Sequence, residues 1–93
     1  MMICEVVGHV WATRKEESLN GNKLMVVKQT DEWGEELVGE NFVAADVVGA
    51  GVGERVLVVN GSTARKALGG DHVPIDAAIV AIIDELEMAR SRS

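Results

Sequence analysis

The chain has 93 residues, a formal net charge of −6 and an isoelectric point near 4.8. This length accommodates one small domain, and the acidic balance disfavours nucleic-acid binding, which usually requires a basic surface. Hydrophobic residues make up 47% of the chain but aromatic residues only 3%, so we expect a β-rich core of small and branched aliphatic side chains. Such a small core is marginally stabilising, and oligomerisation is a common remedy.

Targeting segments and disulfides are not expected. Cys4 is the only cysteine, so it cannot form an internal disulfide, and its position in a strand suggests a small buried hydrophobe. The apolar runs are too short to span a membrane. The N-terminus has Glu5 inside its apolar run and no basic segment, which argues against a signal peptide. A soluble cytoplasmic protein is the expectation.

Five segments have the composition and apolar patterning of β-strands. They are residues 2–14, 23–30, 41–48, 55–60 and 77–83. In the first strand, one small apolar face is predicted to point into the core, formed by Cys4, Val6, Gly8, Val10 and Ala12. Gly8 in mid-strand predicts a bulge or sharp bend of the kind that closes small barrels.

The connections are polar. Residues 15–22 contain the turn pair Asn20-Gly21, and residues 31–40 form an acidic, exposed connection. Trp33 in that connection either covers the barrel mouth or belongs to a partner surface. Residues 84–88 continue the fifth strand either as strand or as helix. We expect a single domain over residues 1–93 with a frayed end at about 90–93.

Residues 46–65 are the centre of the chain: a strand end, a glycine-dense turn, a second strand and a short helix. The helix is predicted over residues 63–68, with Ser62 as its N-cap and Gly69-Gly70 as its stop. The turn contains Gly49, Gly51 and Gly53 and admits three interpretations. The first interpretation is a phosphate cradle, but the spacing breaks the dinucleotide motif and no P-loop lysine follows. The second is a tight turn that needs small residues, which we favour over the first. The third is a place where the backbones of identical subunits pack closely around a symmetry axis.

An all-β fold, a small five-stranded closed barrel with one short helix, follows from this order of elements. Several strands are apolar on both faces, whereas the outer face of a monomeric barrel normally carries polar residues at alternate positions of each strand. The excess apolar surface predicts subunit packing around the barrel.

No group of residues has the pattern of an active site or a metal site. Cys4 and His9 point to opposite faces of one strand, which makes a joint metal site improbable. The lone acids Asp46 and Asp76 are predicted to pair with Arg55 and Arg65, within or between subunits. No catalytic residue and no cofactor is predicted.

Four blocks, in this order, resemble the EutN/CcmL family of bacterial microcompartment vertex proteins. They are GHVWATRK, SLNGNKLMVVKQ, VAADVVGAGVGERVLVVNGSTAR and PIDAAIVAIIDELE, and they cover nearly the whole chain. Thr63 stands where the family commonly has a second serine. The acidic connection at residues 31–40 lies where family members vary most.

The resemblance implies a structural, non-enzymatic shell protein of the bacterial cytoplasm. Its OB-like barrel would assemble into a cyclic homopentamer that closes the vertices of a polyhedral shell tiled by hexameric shell proteins. The WATRK and SLNG segments favour a catabolic compartment, a metabolosome, although ethanolamine, propanediol, glycyl-radical and carboxysome types share the motifs. Neither a nucleic acid nor a membrane is an expected partner.

A closed ring has heterologous interfaces, so one barrel must supply two different patches. We hypothesise that the segment Gly49, Ala50, Gly51 and Val52 lies near the fivefold axis and narrows any central pore. Further interface candidates are Asp46, Arg55, Ser62 and Arg65. The alternatives are an OB-like module that binds nucleic acid and a small enzyme that binds an anionic ligand through the glycine turn.

Overall fold

A computed structural model describes residues 1–12, 22–31, 33, 35–70 and 75–84. Within these residues lie five strands and one helix. Each predicted strand is confirmed, the fourth with the predicted bounds and the others with shorter ends. They are β1 (Met2–Val10), β2 (Lys23–Gln29), β3 (Phe42–Asp46), β4 (Arg55–Asn60), α1 (Gly61–Ala67) and β5 (Ala77–Ile82). Several predictions concern segments outside the described residues: the turn at Asn20-Gly21, most of the continuation at 84–88 and the fraying at 90–93.

The strands form a closed barrel in the order β1-β2-β3-β5-β4, and β4 pairs with β1 to complete it. All neighbours are antiparallel except β3 and β5, which run parallel. Closure leaves no free sheet edge in this set of strands. The predicted all-β, OB-like, five-stranded barrel is therefore confirmed.

The predicted bulge at Gly8 is confirmed. The β1–β2 register shifts between Val6, which is opposite Val27, and Gly8, which is opposite Val26. An extra residue in one strand reverses the faces beyond it. Cys4 and Val6 are buried as predicted, whereas Val10 is only half-buried and Ala12 is exposed. The prediction of one core face along the whole first strand was wrong, because the register shifts at this bulge and the strand ends at Val10.

The barrel interior is filled by small and branched side chains. Cys4 is fully buried, and burial, which disfavours the thiolate, raises the pKa of its thiol to about 11. Cys4 is thus a small buried hydrophobe, as predicted. The buried interior cluster consists of Cys4, Val6, Met25, Val27, Ala44, Ala50, Val56, Val58, Ala77 and Ile79.

The helix α1 packs on the outside of the barrel over β4 and β5. Ala64 is fully buried there against Val59 and Ala78, with Leu68 and Val80 packed at the margin. Part of the two-sided apolar character of the strands is therefore covered by the chain's own helix. Part of the remainder is exposed on the connection that follows β3.

Ser62 is not the N-cap of this helix, contrary to prediction. The helix begins at Gly61 with Asn60 at the N-cap, and Ser62 is an exposed residue of the first turn. The Gly61 N–H donates to the Asp76 carbonyl at 2.8 Å, so a contact with the segment before β5 sets where the helix starts. The stop at Gly69-Gly70 is confirmed, since both have positive φ and the Gly70 N–H donates to the Arg65 carbonyl at 2.8 Å.

No helix in the described part of the chain has the length and apolar character needed to cross a membrane.

Candidate subunit interface

The β3–β4 loop (residues 47–54) begins with a carboxylate that binds three successive backbone amides. Asp46 Oδ1 accepts hydrogen bonds from the N–H groups of Val48 at 2.9 Å and Gly49 at 3.0 Å. Asp46 Oδ2 accepts one from the N–H of Ala50 at 2.7 Å. Asp46 itself is only 7% exposed. A carboxylate whose hydrogen bonds are made in a buried place stabilises one loop conformation strongly.

A second carboxylate and two bonds to β1 fix the end of the loop. The Gly51 N–H donates to Glu54 Oε1 at 2.6 Å. The Gly53 N–H donates to the Val6 carbonyl at 2.8 Å, and the Val6 N–H donates to the Glu54 carbonyl at 3.0 Å. The loop is thus held at both ends, by its own carboxylates and by a neighbouring strand.

Within this loop, side chains divide between the barrel interior and the surface. Ala50 is fully buried and belongs to the interior cluster. Val47, Val48 and Val52 point outward and are 47%, 40% and 56% exposed. Gly49 has φ +85°, a conformation that side-chain-bearing residues rarely adopt, so a glycine is needed for this course of the backbone. The outcome is a rigid loop with an apolar outer surface.

The predicted interface residues fall in two places. Gly49, Ala50, Gly51 and Val52 are in the loop, Asp46 and Arg55 flank it, and Ser62 and Arg65 are on α1. The structure brings the first six together and leaves the last two on the helix. Ala50 is fully buried in its own barrel, and its N–H is already bound by Asp46, so this residue presents no exposed surface to a neighbouring subunit.

The pairing of Asp46 and Asp76 with Arg55 and Arg65 stays a prediction. In this chain the Asp46 carboxylate is engaged by backbone amides, and Arg55 is the cross-strand partner of Glu5 in the β1–β4 ladder. The sequence does contain a signal for the first of these contacts. An aspartate directly before a glycine-rich segment is typical of turns in which the carboxylate accepts nearby N–H groups.

Sequence reasoning also missed two exposed apolar residues of this surface, Val47 and Val48. They were assigned to the third strand, but β3 ends at Asp46. The change from strand to loop turns both side chains outward, where a strand would have buried one of them.

Other exposed apolar side chains lie elsewhere on the barrel. Val43 on β3 is 44% exposed. Trp11 is 87% exposed, and its ring stacks on the His9 ring with centroids 5.7 Å apart. This pair borders a pocket of about 130 Å³ at the end of β1 and the start of β2. Trp33 is half-buried, and its backbone N–H donates a hydrogen bond to Asp31 Oδ1 at 3.0 Å.

The loop geometry speaks against an anionic ligand at the glycine turn. A phosphate cradle needs backbone N–H groups directed at the ligand. The four successive N–H groups from residue 48 to residue 51 instead donate to Asp46 and Glu54. Two negative carboxylates already occupy the place that an anion would take. In the described residues no group of three or more histidine, cysteine, aspartate or glutamate side chains is arranged to hold a metal ion.

These features define a small closed β-barrel protein with an apolar surface loop that is held in place by its own carboxylates. Comparison with known families identifies which one: the model of the family described as "Ethanolamine utilisation protein EutN/carboxysome" matches residues 1–84. The chain belongs to this family, the EutN/CcmL family, which confirms the resemblance noted in the sequence.

Relatives agree with this assignment over nearly their whole length. The bacterial microcompartment shell vertex protein GrpN of Rhodospirillum rubrum is 47% identical over 89 residues, covering 94% of this chain and 97% of GrpN. The carboxysome shell vertex protein CcmL of Thermosynechococcus vestitus is 51% identical over 84 residues, covering 90% and 84%. These relatives are structural shell proteins, which confirms the expectation that the family is not enzymatic.

A solved structure, the GrpN pentameric microcompartment shell protein from Rhodospirillum rubrum, superposes on this chain with a TM-score of 0.84. The two sequences are 43% identical, and the superposition covers 96% of this chain and all of the GrpN chain.

Proposed function

We propose that this chain is a vertex protein of a bacterial microcompartment shell. In this proposal five copies form a ring, and the ring occupies the fivefold vertices of a shell tiled by hexameric shell proteins in the bacterial cytoplasm. The observation that carries it is the match over nearly the full length to proteins named as shell vertex proteins, on the same barrel.

The surface of the barrel supports assembly of identical copies. Val47, Val48 and Val52 are exposed although they are apolar, and exposed apolar residues that lie together are typical of interaction sites. Val43 adds another apolar position on the adjoining strand. A ring uses heterologous contacts, so one such surface meets a different surface of the next copy.

The central axis of the ring is the proposed location of the segment Gly49, Ala50, Gly51 and Val52. Support comes from the small residues of this segment and from the exposed side chain of Val52. Arg55, Ser62 and Arg65 are further candidates for contacts between copies. A bulky residue in place of Gly51 is expected to impair the ring. An added Cβ there would lie 3.3 Å from Glu54 Oε1, so the carboxylate that holds the loop must shift by a few tenths of an ångström, and a bulkier side chain requires a larger shift.

We further propose that the compartment is catabolic rather than a carboxysome. The WATRK and SLNG segments support this assignment. Co-purification with hexameric shell proteins of each compartment type tests it. Binding to the carboxysome set alone would contradict the catabolic assignment.

Shell closure is the direct test of the vertex function. A sheet of hexamers cannot close into a polyhedron without fivefold units at its corners. The chain would be expressed with a set of hexameric shell proteins from which the native vertex protein has been deleted. Closed particles seen by electron microscopy are the expected result, and open sheets or tubes would contradict the proposal. The same set without this chain is the control.

A further inference from the structure

The β3–β4 loop combines an uncharged stretch, residues 47–53, with an unusually complete set of internal hydrogen bonds. We infer that the outward face of Val47, Val48 and Val52 is one side of the contact between neighbouring copies of this chain. We also infer that Asp46 and Glu54 are positioning residues, which hold this face in the shape that the contact requires. The inference rests on the proposed ring and deepens it by naming the surface and the groups that shape it.

A second copy of this chain is the occupant that the charges favour. Each copy carries a net charge of −6, so copies repel one another wherever acidic surfaces approach. Residues 47–53 contain no charged side chain, and Asp46 is almost fully buried beneath them. Residues 47–53 are therefore a surface over which identical acidic copies can meet with little repulsion, with the exposed Glu54 at its edge, and the solved relative GrpN is pentameric.

Rigidity makes this face suitable for a contact between small side chains. Four successive amides, from residue 48 to residue 51, are bound by carboxylates of the same chain. Ala50 is anchored in the barrel interior, and Gly53 is bonded to β1. A loop that is ordered before association loses little conformational freedom on binding, and valine side chains have few rotamers to lose.

The two carboxylates differ in a way that an amide substitution can reveal. Asp46 serves three N–H donors with two oxygens, so an asparagine presents an NH2 group to at least one of them. Glu54 serves one side-chain contact, Gly51 N–H to Oε1, and the carbonyl oxygen of a glutamine can accept that bond. Asp46→Asn is therefore expected to distort the loop, whereas Glu54→Gln is expected to preserve it.

Native mass spectrometry over a dilution series of the full chain tests the inference. We expect Asp46→Asn to raise the concentration for half-assembly at least about tenfold, and Glu54→Gln to change it less than about twofold. Asp84→Asn, at an exposed acid outside the loop, is the matched control and is expected to behave as wild type. Val27→Ala, in the barrel interior, measures how far assembly responds to lost barrel stability alone.

Two results overturn the inference while the ring itself stands. One is assembly of Asp46→Asn at wild-type concentrations. The other is that Asp46→Asn and Val27→Ala have equal melting temperatures and Asp46→Asn loses no more assembly than Val27→Ala does. This result would mean that Asp46 contributes to barrel stability only. A wild-type protein that forms no pentamer contradicts the proposed function instead, so the two failures are distinguishable.

A surface variant keeps the test decisive if Asp46→Asn fails to fold. Val52→Ser changes a side chain that is 56% exposed in the single chain, so the melting temperature of the monomer should stay unchanged. We expect this variant to weaken assembly at least about fivefold because an apolar contact is lost. Unchanged assembly of Val52→Ser would overturn the inference. This holds also if the variant loses only its binding to hexameric shell proteins.

Discussion

An aspartate at or just beyond the end of a strand organises both the β3–β4 loop and the β2–β3 connection (residues 31–41). Asp46 is the last residue of β3, and Asp31 lies two residues beyond the end of β2. Asp31 Oδ1 accepts hydrogen bonds from the N–H groups of Trp33 at 3.0 Å and Glu35 at 2.8 Å. Asp46 makes the same kind of contact but uses both oxygens and three donors. The two segments therefore share a turn in which an aspartate accepts hydrogen bonds from backbone N–H groups, but they differ in how they pack on the barrel.

Burial separates the two segments. The β3–β4 loop returns to the barrel through Ala50 and leaves apolar side chains outside. The described residues from 35 to 41 are all exposed, and the connection pairs back on the end of β2 through the Val38 N–H and the Gln29 carbonyl at 2.7 Å. A turn motif therefore gives a rigid interaction surface only where the segment is also anchored in the core.

Removal of the Asp46 carboxylate should have the largest effect. Asp46→Ala leaves three N–H groups without their acceptor, one of them on the fully buried Ala50. We expect a loss of about 3–5 kcal/mol in the free energy of unfolding, measured by urea denaturation at a fixed protein concentration. A loss below about 1 kcal/mol would show that solvent replaces the carboxylate readily.

Glycines of positive φ allow a matched comparison between the two segments. Gly49 has φ +85° and Gly39 has φ +78°, and neither has an atom within 4 Å of an added Cβ. Each alanine substitution therefore introduces mainly backbone strain, about 1–2 kcal/mol in the free energy of unfolding. Only Gly49→Ala should also weaken assembly in native mass spectrometry. Equal loss of assembly in both variants would remove the distinction between the segments.

The Cys4 thiol reports on the core that Ala50 helps to fill. Burial raises its pKa from 9.0 to about 11, so above pH 9 the unfolded chain releases this proton before the folded chain does. Stability is therefore complete below pH 9 and should decline, by on the order of 1 kcal/mol, as the pH rises from 9 to about 11. Urea denaturation across this range measures the decline. Cys4→Ala is the control, and an identical decline in that variant would assign it to other groups.

Substitution of Asp31 should have the smallest effect. Asp31→Ala removes two hydrogen bonds from a half-buried carboxylate in a segment exposed to water, which can replace them. We expect a loss of about 0.5–1 kcal/mol in the free energy of unfolding and no change in assembly. A loss as large as that of Asp46→Ala would mean that core anchoring is not what separates the two segments.

Local patterns were sufficient to predict the barrel. The run at residues 55–60 became β4 with the same bounds, and Gly8 marked the bulge in β1. The faces beyond that bulge were not predictable from simple alternation, because one extra residue reverses them. The start of α1 depends on the carbonyl of Asp76, which is distant in sequence and cannot be read from the capping pattern.

The candidate site was predicted in outline only. Glycines at alternate positions indicated the β3–β4 loop, but which way each residue points depends on tertiary contacts. Ala50 turns inward because the barrel interior has space for it, and Val47 and Val48 turn outward because Asp46 ends the strand. The contacts of Ser62 and Arg65 with a neighbouring copy remain a prediction, since a single chain does not contain the geometry of its assembly.

The native mass of the wild-type protein, measured by light scattering after gel filtration, tests the central claim most directly. The account predicts a single species of about 50 kDa, five times the 9.9 kDa mass of one chain. A stable monomer at micromolar concentration would contradict it, because the exposed valines of the β3–β4 loop would then have no copy of the chain to meet.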